Sequence, residues 1–190
     1  MKISIFGQGN MGKAIGENFS QAGNEVEYIK RDTTVDSLGE IVVLAVPYAS
    51  VEDIITRYAD ELSGKIVVDI TNPVNFATFD ELVVSSDSSV AAEIAEKLPD
   101  SNVLKAFNTN FAATLTSQKV GGKEKTTVLV AGDNKEAKEK FAAALEKSGL
   151  VVTDAGSLKR ARELEATGFL QMTLAAREKL TWAGGFGVIK

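Results

Sequence analysis

Cysteine and histidine are both missing from the 190 residues. Without them there is no disulfide, no zinc site built on sulfur or imidazole, no thiol nucleophile and no histidine-dependent triad or general base. An excess of basic residues is missing too. The 21 Lys and Arg stand against 26 Asp and Glu, a net charge of -5, so no overall positive field draws in nucleic acid or an anionic membrane surface. The longest unbroken apolar run, residues 41–47, falls far short of a membrane span. The segment from Met1 to Gly7 has no apolar stretch of secretory length, which predicts a cytoplasmic chain.

What remains is ordinary for a globular protein: 44% hydrophobic and 25% charged residues, a poor fit to disorder or fibrous architecture. The length fits one large domain, or one domain with a short appendage. Apolar β-rich runs alternate with amphipathic stretches, the pattern of a parallel sheet covered by helices on both faces. Strands are predicted over residues 2–6, 26–29, 41–46, 65–70, 103–107, 126–131 and 150–153. A helix over 10–22 follows from Met11, Ile15 and Phe19 at four-residue spacing, with Gly23 as its stop. Ser50 reads as the start of another, with Asp53 as its capping partner. Residues 71–89, with Asn, Pro and a Ser/Asp cluster, read as a long loop before a helix over 90–98 that Pro99 ends. Asp133-Asn134-Lys135-Glu136 opens a helix with Phe141 and Leu145 on its buried side. Ser157 reads as the cap of a last helix over 158–179, in which Gly168 marks a kink or a close-packing point.

Gly7-Gln8-Gly9-Asn10-Met11-Gly12 stands between the first strand and the first helix. In such a G-x-G-x-x-G the first glycine permits the tight turn, the second lets a pyrophosphate approach the backbone, and the third lets helix and strand pack closely. The amides at the helix N-terminus then face the phosphates. Near the end of the second strand, where an NAD enzyme places a carboxylate on the ribose, this chain has Lys30-Arg31-Asp32. A guanidinium fork suits a phosphate, so the pair points to NADP(H); the plainer alternative is solvated charges paired with Asp32. Val46-Pro47-Tyr48 and Asn72-Pro73 end two strands at the edge where ligands bind in open α/β sheets, and are expected to line the ribose and nicotinamide. Prolines that only terminate strands would explain the backbone equally well.

At these residues the chain resembles the NADP-dependent oxidoreductases typified by the reductase of the deazaflavin coenzyme F420, and is similar to the cytosolic domain of the STEAP metalloreductases. The matching segments are GQGNMG at 7–12, KRD at 30–32, VVLAVPY at 42–48, DITNP at 69–73, LKAFNT at 104–109, VLVAGDN at 128–134 and DAGSLKRARELE at 154–165. The resemblance implies that Gln8, Asn10 and Met11 contact the pyrophosphate region, that Lys30 and Arg31 hold the 2′-phosphate, and that Val46, Pro47, Asn72 and Pro73 shape the nicotinamide site. It also places Phe107 and Asn108 near the hydride acceptor, although Asn108 could simply bond a loop backbone.

The expected architecture is thus α/β: a doubly wound, Rossmann-type, mostly parallel sheet over residues 1–157 that binds NADP(H), with a C-terminal helical extension over 158–190 packed on it. The expected activity is direct hydride transfer between NADP(H) and a flavin or deazaflavin, without a catalytic side chain or metal, in a homodimer whose other partner is a small-molecule electron acceptor. Stacked rings supply the proximity that such a step mainly needs. A carbonyl reductase would want a positioned donor, and Tyr48 has no obvious lysine partner. Two other readings stay open: an imine or 3-hydroxyacid reductase without its usual large helical domain, and a non-enzymatic NADPH-sensing module.

Overall fold

A computed structural model of the chain describes residues 1–30, 35 and 37–189. Among these, seven strands form one sheet in the order β2-β1-β3-β4-β5-β8-β9. They are β1 (Lys2–Phe6), β2 (Glu25–Ile29), β3 (Ile41–Leu44), β4 (Ile66–Asp69), β5 (Asn102–Lys105), β8 (Thr127–Gly132) and β9 (Val151–Gly156). The first five run parallel, β8 is antiparallel to β5, and β9 is parallel to β8. A two-stranded hairpin, β6 (Lys119–Val120) and β7 (Glu124–Lys125), stands apart.

The strand period of two divides the core. Ile3, Ile5, Ile41, Val43 and Val68 face one layer, where Ile15 and Phe19 of α1 (Asn10–Gln21), Leu115 of α5 (Ala112–Ser117) and Phe141 of α6 (Lys135–Leu145) pack. Phe6, Val42, Leu44 and Val67 face the other, against α2 (Val51–Arg57), α3 (Ala59–Leu62) and α4 (Val90–Lys97). Burial on both faces is why the central strands read as unbroken apolar runs. The last helix, α7 (Ala161–Ala176), lies across the carboxyl edge of β4 and β5. No helix among the described residues is long and apolar enough to cross a membrane.

Two local expectations fail for identifiable reasons. Ser50 caps nothing with its side chain, because Tyr48–Ser50 is already a 3-10 turn that runs straight into α2. Ser157 caps nothing either; the Leu158 N–H finds its acceptor in Asp133 Oδ1 at 2.9 Å, after which a second 3-10 turn (Leu158–Arg160) precedes α7. The short α5 and the β6–β7 hairpin, both within residues 108–125, have no counterpart in the sequence reading. Asn134, by contrast, caps α6 as its sequence suggests, accepting from the Ala137 N–H at 3.0 Å. Gly168 is a close-packing point: a Cβ there would lie 2.5 Å from Asn72 Oδ1 and 2.8 Å from the Asn108 carbonyl oxygen.

Candidate functional site

The glycine loop leaves β1 at Gly7, whose φ of 100° belongs to the left-handed region that favours glycine. A side chain at Gly7 would collide with the Ala45 carbonyl, and one at Gly12 with the carbonyl of Gly7, so both glycines are fixed by backbone packing. Gly9 differs: it is the N-cap of α1, and among the described residues no side chain caps the helix and no atom lies within 4 Å of where its Cβ would stand. The backbone there is open to approach from outside, as a bound pyrophosphate requires. Gln8 and Asn10 are exposed beside it, whereas Met11 is half-buried against the core.

This loop opens into a cleft of about 600 Å³. Gly7, Gln8, Lys30, Val46 and Pro47 line it from the sheet side, and Asp53, Arg57 and Tyr58 from α2 and its end close the other wall. The Arg57 guanidinium stands over the Tyr58 ring, 5.4 Å from its centroid. It gives the cleft a second cation that the sequence reading missed. The signal was there: Ser50, Asp53, Ile54 and Arg57 share one helix face at the i, i+3, i+4, i+7 spacing that follows Pro47. Arg31 lies outside the described residues.

Tyr48 does not join Val46 and Pro47 in this cleft. Its ring lines a separate groove between α2 and α4, and its hydroxyl donates to Glu93 Oε2 at 3.2 Å. Burial first, and then the Glu93 charge, push its pKa above the ordinary tyrosine value.

Asn72, Pro73, Phe107 and Asn108 come together further along the carboxyl edge, but as a braced unit. Asn72 Nδ2 donates to the Asn108 carbonyl at 2.8 Å and Asn108 Nδ2 donates back to Asn72 Oδ1 at 2.9 Å and to the Leu164 carbonyl at 2.8 Å. Pro73 is buried. Phe107, at φ 62°, turns its ring into the core, edge-on to Phe19 and Phe141, and is 0% exposed. Its ring is therefore out of reach of any bound acceptor, a correction to the expected contact.

Beneath this edge lies a cluster that the sequence reading also missed. Lys105 Nζ, fully buried, donates to Asp69 Oδ2 at 2.7 Å, to Glu165 Oε1 at 2.7 Å and to the Thr71 carbonyl at 2.6 Å. Burial pushes the Glu165 carboxyl up to about 7, the Lys105 cation opposing the shift and the Asp69 charge adding to it. A lysine inside an otherwise apolar strand, between Leu104 and Ala106, was the signal.

Comparison with known proteins identifies the family and the fold. The family described as "NADP oxidoreductase coenzyme F420-dependent" matches residues 33–73. The chain is 31% identical to the F420-dependent NADP reductase of Methanocaldococcus jannaschii over 161 residues, covering 81% of this chain and 70% of that one. Over 108 residues it is 38% identical to the metalloreductase STEAP3 of Rattus norvegicus, 57% of this chain but 21% of that longer protein. A crystal structure from Arthrobacter sp. FB24, provisionally assigned as an F420-dependent NADP-reductase, superposes over 100% of both chains with a TM-score of 0.86 at 25% identity.

Proposed function

Because the chain belongs to the coenzyme F420-dependent NADP oxidoreductases and is an NADP-dependent oxidoreductase, we propose that it passes hydride between NADP(H) and a flavin or deazaflavin acceptor. The observation that carries the reading is the glycine loop with its open Gly9, set at the mouth of a cleft that Lys30 and Arg57 make locally cationic in a chain of net charge -5. When bound there, the nicotinamide supplies the hydride, and a proton from water completes reduction of the acceptor. The loop backbone holds the pyrophosphate, Gln8 and Asn10 flank it, and Lys30 with Arg31 holds the 2′-phosphate. Val46 and Pro47, which line the cleft, would form the wall beside the ribose and nicotinamide. Asn72 and Asn108, having spent their amides on each other, act as a rigid wall beside the acceptor.

Hydride transfer between flat rings asks the protein mainly for proximity and orientation, which suits an edge braced by the exchange of hydrogen bonds between Asn72 and Asn108. The partner in this reading is a second copy of the chain, joined through α7 and the tail that follows it, where Leu170, Trp182 and Phe186 are exposed. A monomer at all concentrations in sedimentation would remove that element alone.

The test is oxidation of NADPH by purified protein against a panel of acceptors: a deazaflavin, FMN, FAD and a ferric chelate. Turnover of the deazaflavin or a flavin is expected. Bound NADPH that reduces none of them would leave a sensing module and overturn the proposal.

A further inference from the structure

Phe6, Leu44, Asp69 and Lys105 stand on one register row across β1, β3, β4 and β5. Directly after that row the chain leaves the sheet, into the glycine loop, the segment of Val46 and Pro47, the turn of Thr71 to Pro73, and Phe107 with Asn108. Lys105 is therefore one row beneath the edge at which the cofactor and its acceptor would meet.

What the lysine holds is specific. Thr71 is gripped at both backbone groups: its carbonyl accepts from Lys105 at 2.6 Å, and its N–H donates to Asp69 Oδ1 at 2.9 Å. The same ammonium reaches Glu165 of α7, whose Oε1 also accepts from the Val90 N–H at the start of α4 at 3.0 Å. One cation thus joins β4, β5, α4 and α7 to a single peptide unit. A buried ion cluster is weak as a source of stability, since well-packed apolar residues often serve as well. What apolar residues cannot do is orient a peptide group.

We propose that Lys105 is a positioning residue for hydride transfer: with Asp69 it fixes the turn that carries Asn72 and Pro73, and through Glu165 it locks that turn to α7. The inference rests on the proposed placement of the nicotinamide along this edge.

The charges of the cluster make the role observable. The groups facing Glu165 are Lys105 and Asp69 from the sheet and, more distantly, Tyr48, which is paired with Glu93 of α4. On its own helix Arg162 and Glu163 are exposed. Glu165 Oε2 is buried and has no hydrogen-bond partner among the described residues. With Glu165 protonated, one ammonium faces one carboxylate. With Glu165 ionised, Lys105 is divided between two, and the grip on Thr71 weakens.

The experiment uses the full chain and two variants. Glu165→Gln keeps an acceptor for Lys105 and Val90 but cannot ionise. A triple variant, Lys105→Met with Asp69→Asn and Glu165→Gln, removes the clamp without stranding a buried charge. In the unaltered chain, the Thr71 and Val90 amide resonances should shift together in one step near neutrality, and kcat should fall roughly tenfold across that step while KM for NADPH holds. Glu165→Gln should lack the step in both readouts. The triple variant should unfold no more easily yet lose roughly tenfold in kcat at every pH. A triple variant with unimpaired kcat, or Thr71 and Val90 amides that do not respond, would overturn the inference. Should no acceptor be turned over at all, the functional proposal falls, and the amide titration, which needs neither cofactor nor acceptor, still decides this one.

Discussion

Asn72 and Asn108 exchange hydrogen bonds across the carboxyl ends of β4 and β5, one amide donating to a backbone carbonyl at 2.8 Å and the other to a side-chain oxygen at 2.9 Å. Gly168 of α7 sits directly on this pair, with no room for a methyl group. Gly168→Ala should push α7 outward and cost about 2 kcal/mol, even though alanine is the better helix former. Urea unfolding measures the loss. A variant as stable as the parent would mean that α7 does not press on the asparagine pair.

The glycine loop predicts a separation between folding and binding. Gly12→Ala meets the Gly7 carbonyl and should destabilise the fold by about 2 kcal/mol or more. Gly9→Ala meets nothing and should cost about 1 kcal/mol or less as a poorer cap, while weakening NADPH roughly tenfold by blocking the approach to the backbone. Thermal melts with and without NADPH, together with fluorescence titration of the reduced nicotinamide, separate the two effects. Equal NADPH affinity in Gly9→Ala and the parent would remove the loop from the cofactor site.

The parts of this arrangement that were legible in the sequence are those set by local chemistry. Buried parallel strands must be apolar on both faces, so the Ile41–Leu44 and Ile66–Asp69 strands stand out. Glycines required by backbone collisions announce themselves by spacing. The short α5 and the two-residue strands β6 and β7 have too little length for any period to develop, and only tertiary contacts make them regular. The misplacements have the same origin. Tyr48 and Pro47 are adjacent in sequence, but a 3-10 turn between the end of β3 and α2 sends Tyr48 to the Glu93 groove while Pro47 stays in the cleft. Phe107 and Asn108 are adjacent too, and a left-handed φ at Phe107 sends its ring inward. Arg57 was legible only as a position on the helix face that follows Pro47, and Lys105 only as a charge in an apolar strand, because its partners Asp69, Thr71 and Glu165 lie on other elements.

Preference for the phosphorylated cofactor should reside in the basic residues that the proposed function assigns to the 2′-phosphate, Lys30 and Arg31. Arg31→Glu should weaken NADPH by on the order of a hundredfold and NADH far less, because the substitution sets a carboxylate against the 2′-phosphate. Arg57→Ala, by contrast, removes a guanidinium that already rests on Tyr58, and a smaller loss of roughly threefold to tenfold is expected. Affinities for the two dinucleotides in both variants decide the matter. Equal losses for NADPH and NADH in Arg31→Glu would assign the 2′-phosphate to some other group.

Glu165 should give the chain a pH-dependent stability opposite in sign to that of most carboxylates. Its pKa rises on folding from 4.5 to about 7, chiefly through burial. The native chain therefore keeps the proton over an interval in which the unfolded chain has lost it. Linkage then requires stability to fall as pH rises from the lower value to the upper one, and to level off beyond it. Below the interval both states are protonated and the contribution is whole; above it the native state carries the second carboxylate of a buried cluster with one cation. The loss amounts to about 3 kcal/mol, the value of about 7 already containing the opposing effect of Lys105. Glu165→Gln removes this titration, so its unfolding free energy relative to the parent should climb by that amount between mildly acidic and mildly alkaline pH. Taking the difference between the two chains cancels every other titrating group. A difference that stays constant with pH would show that Glu165 is ionised throughout, its charge fully met by Lys105.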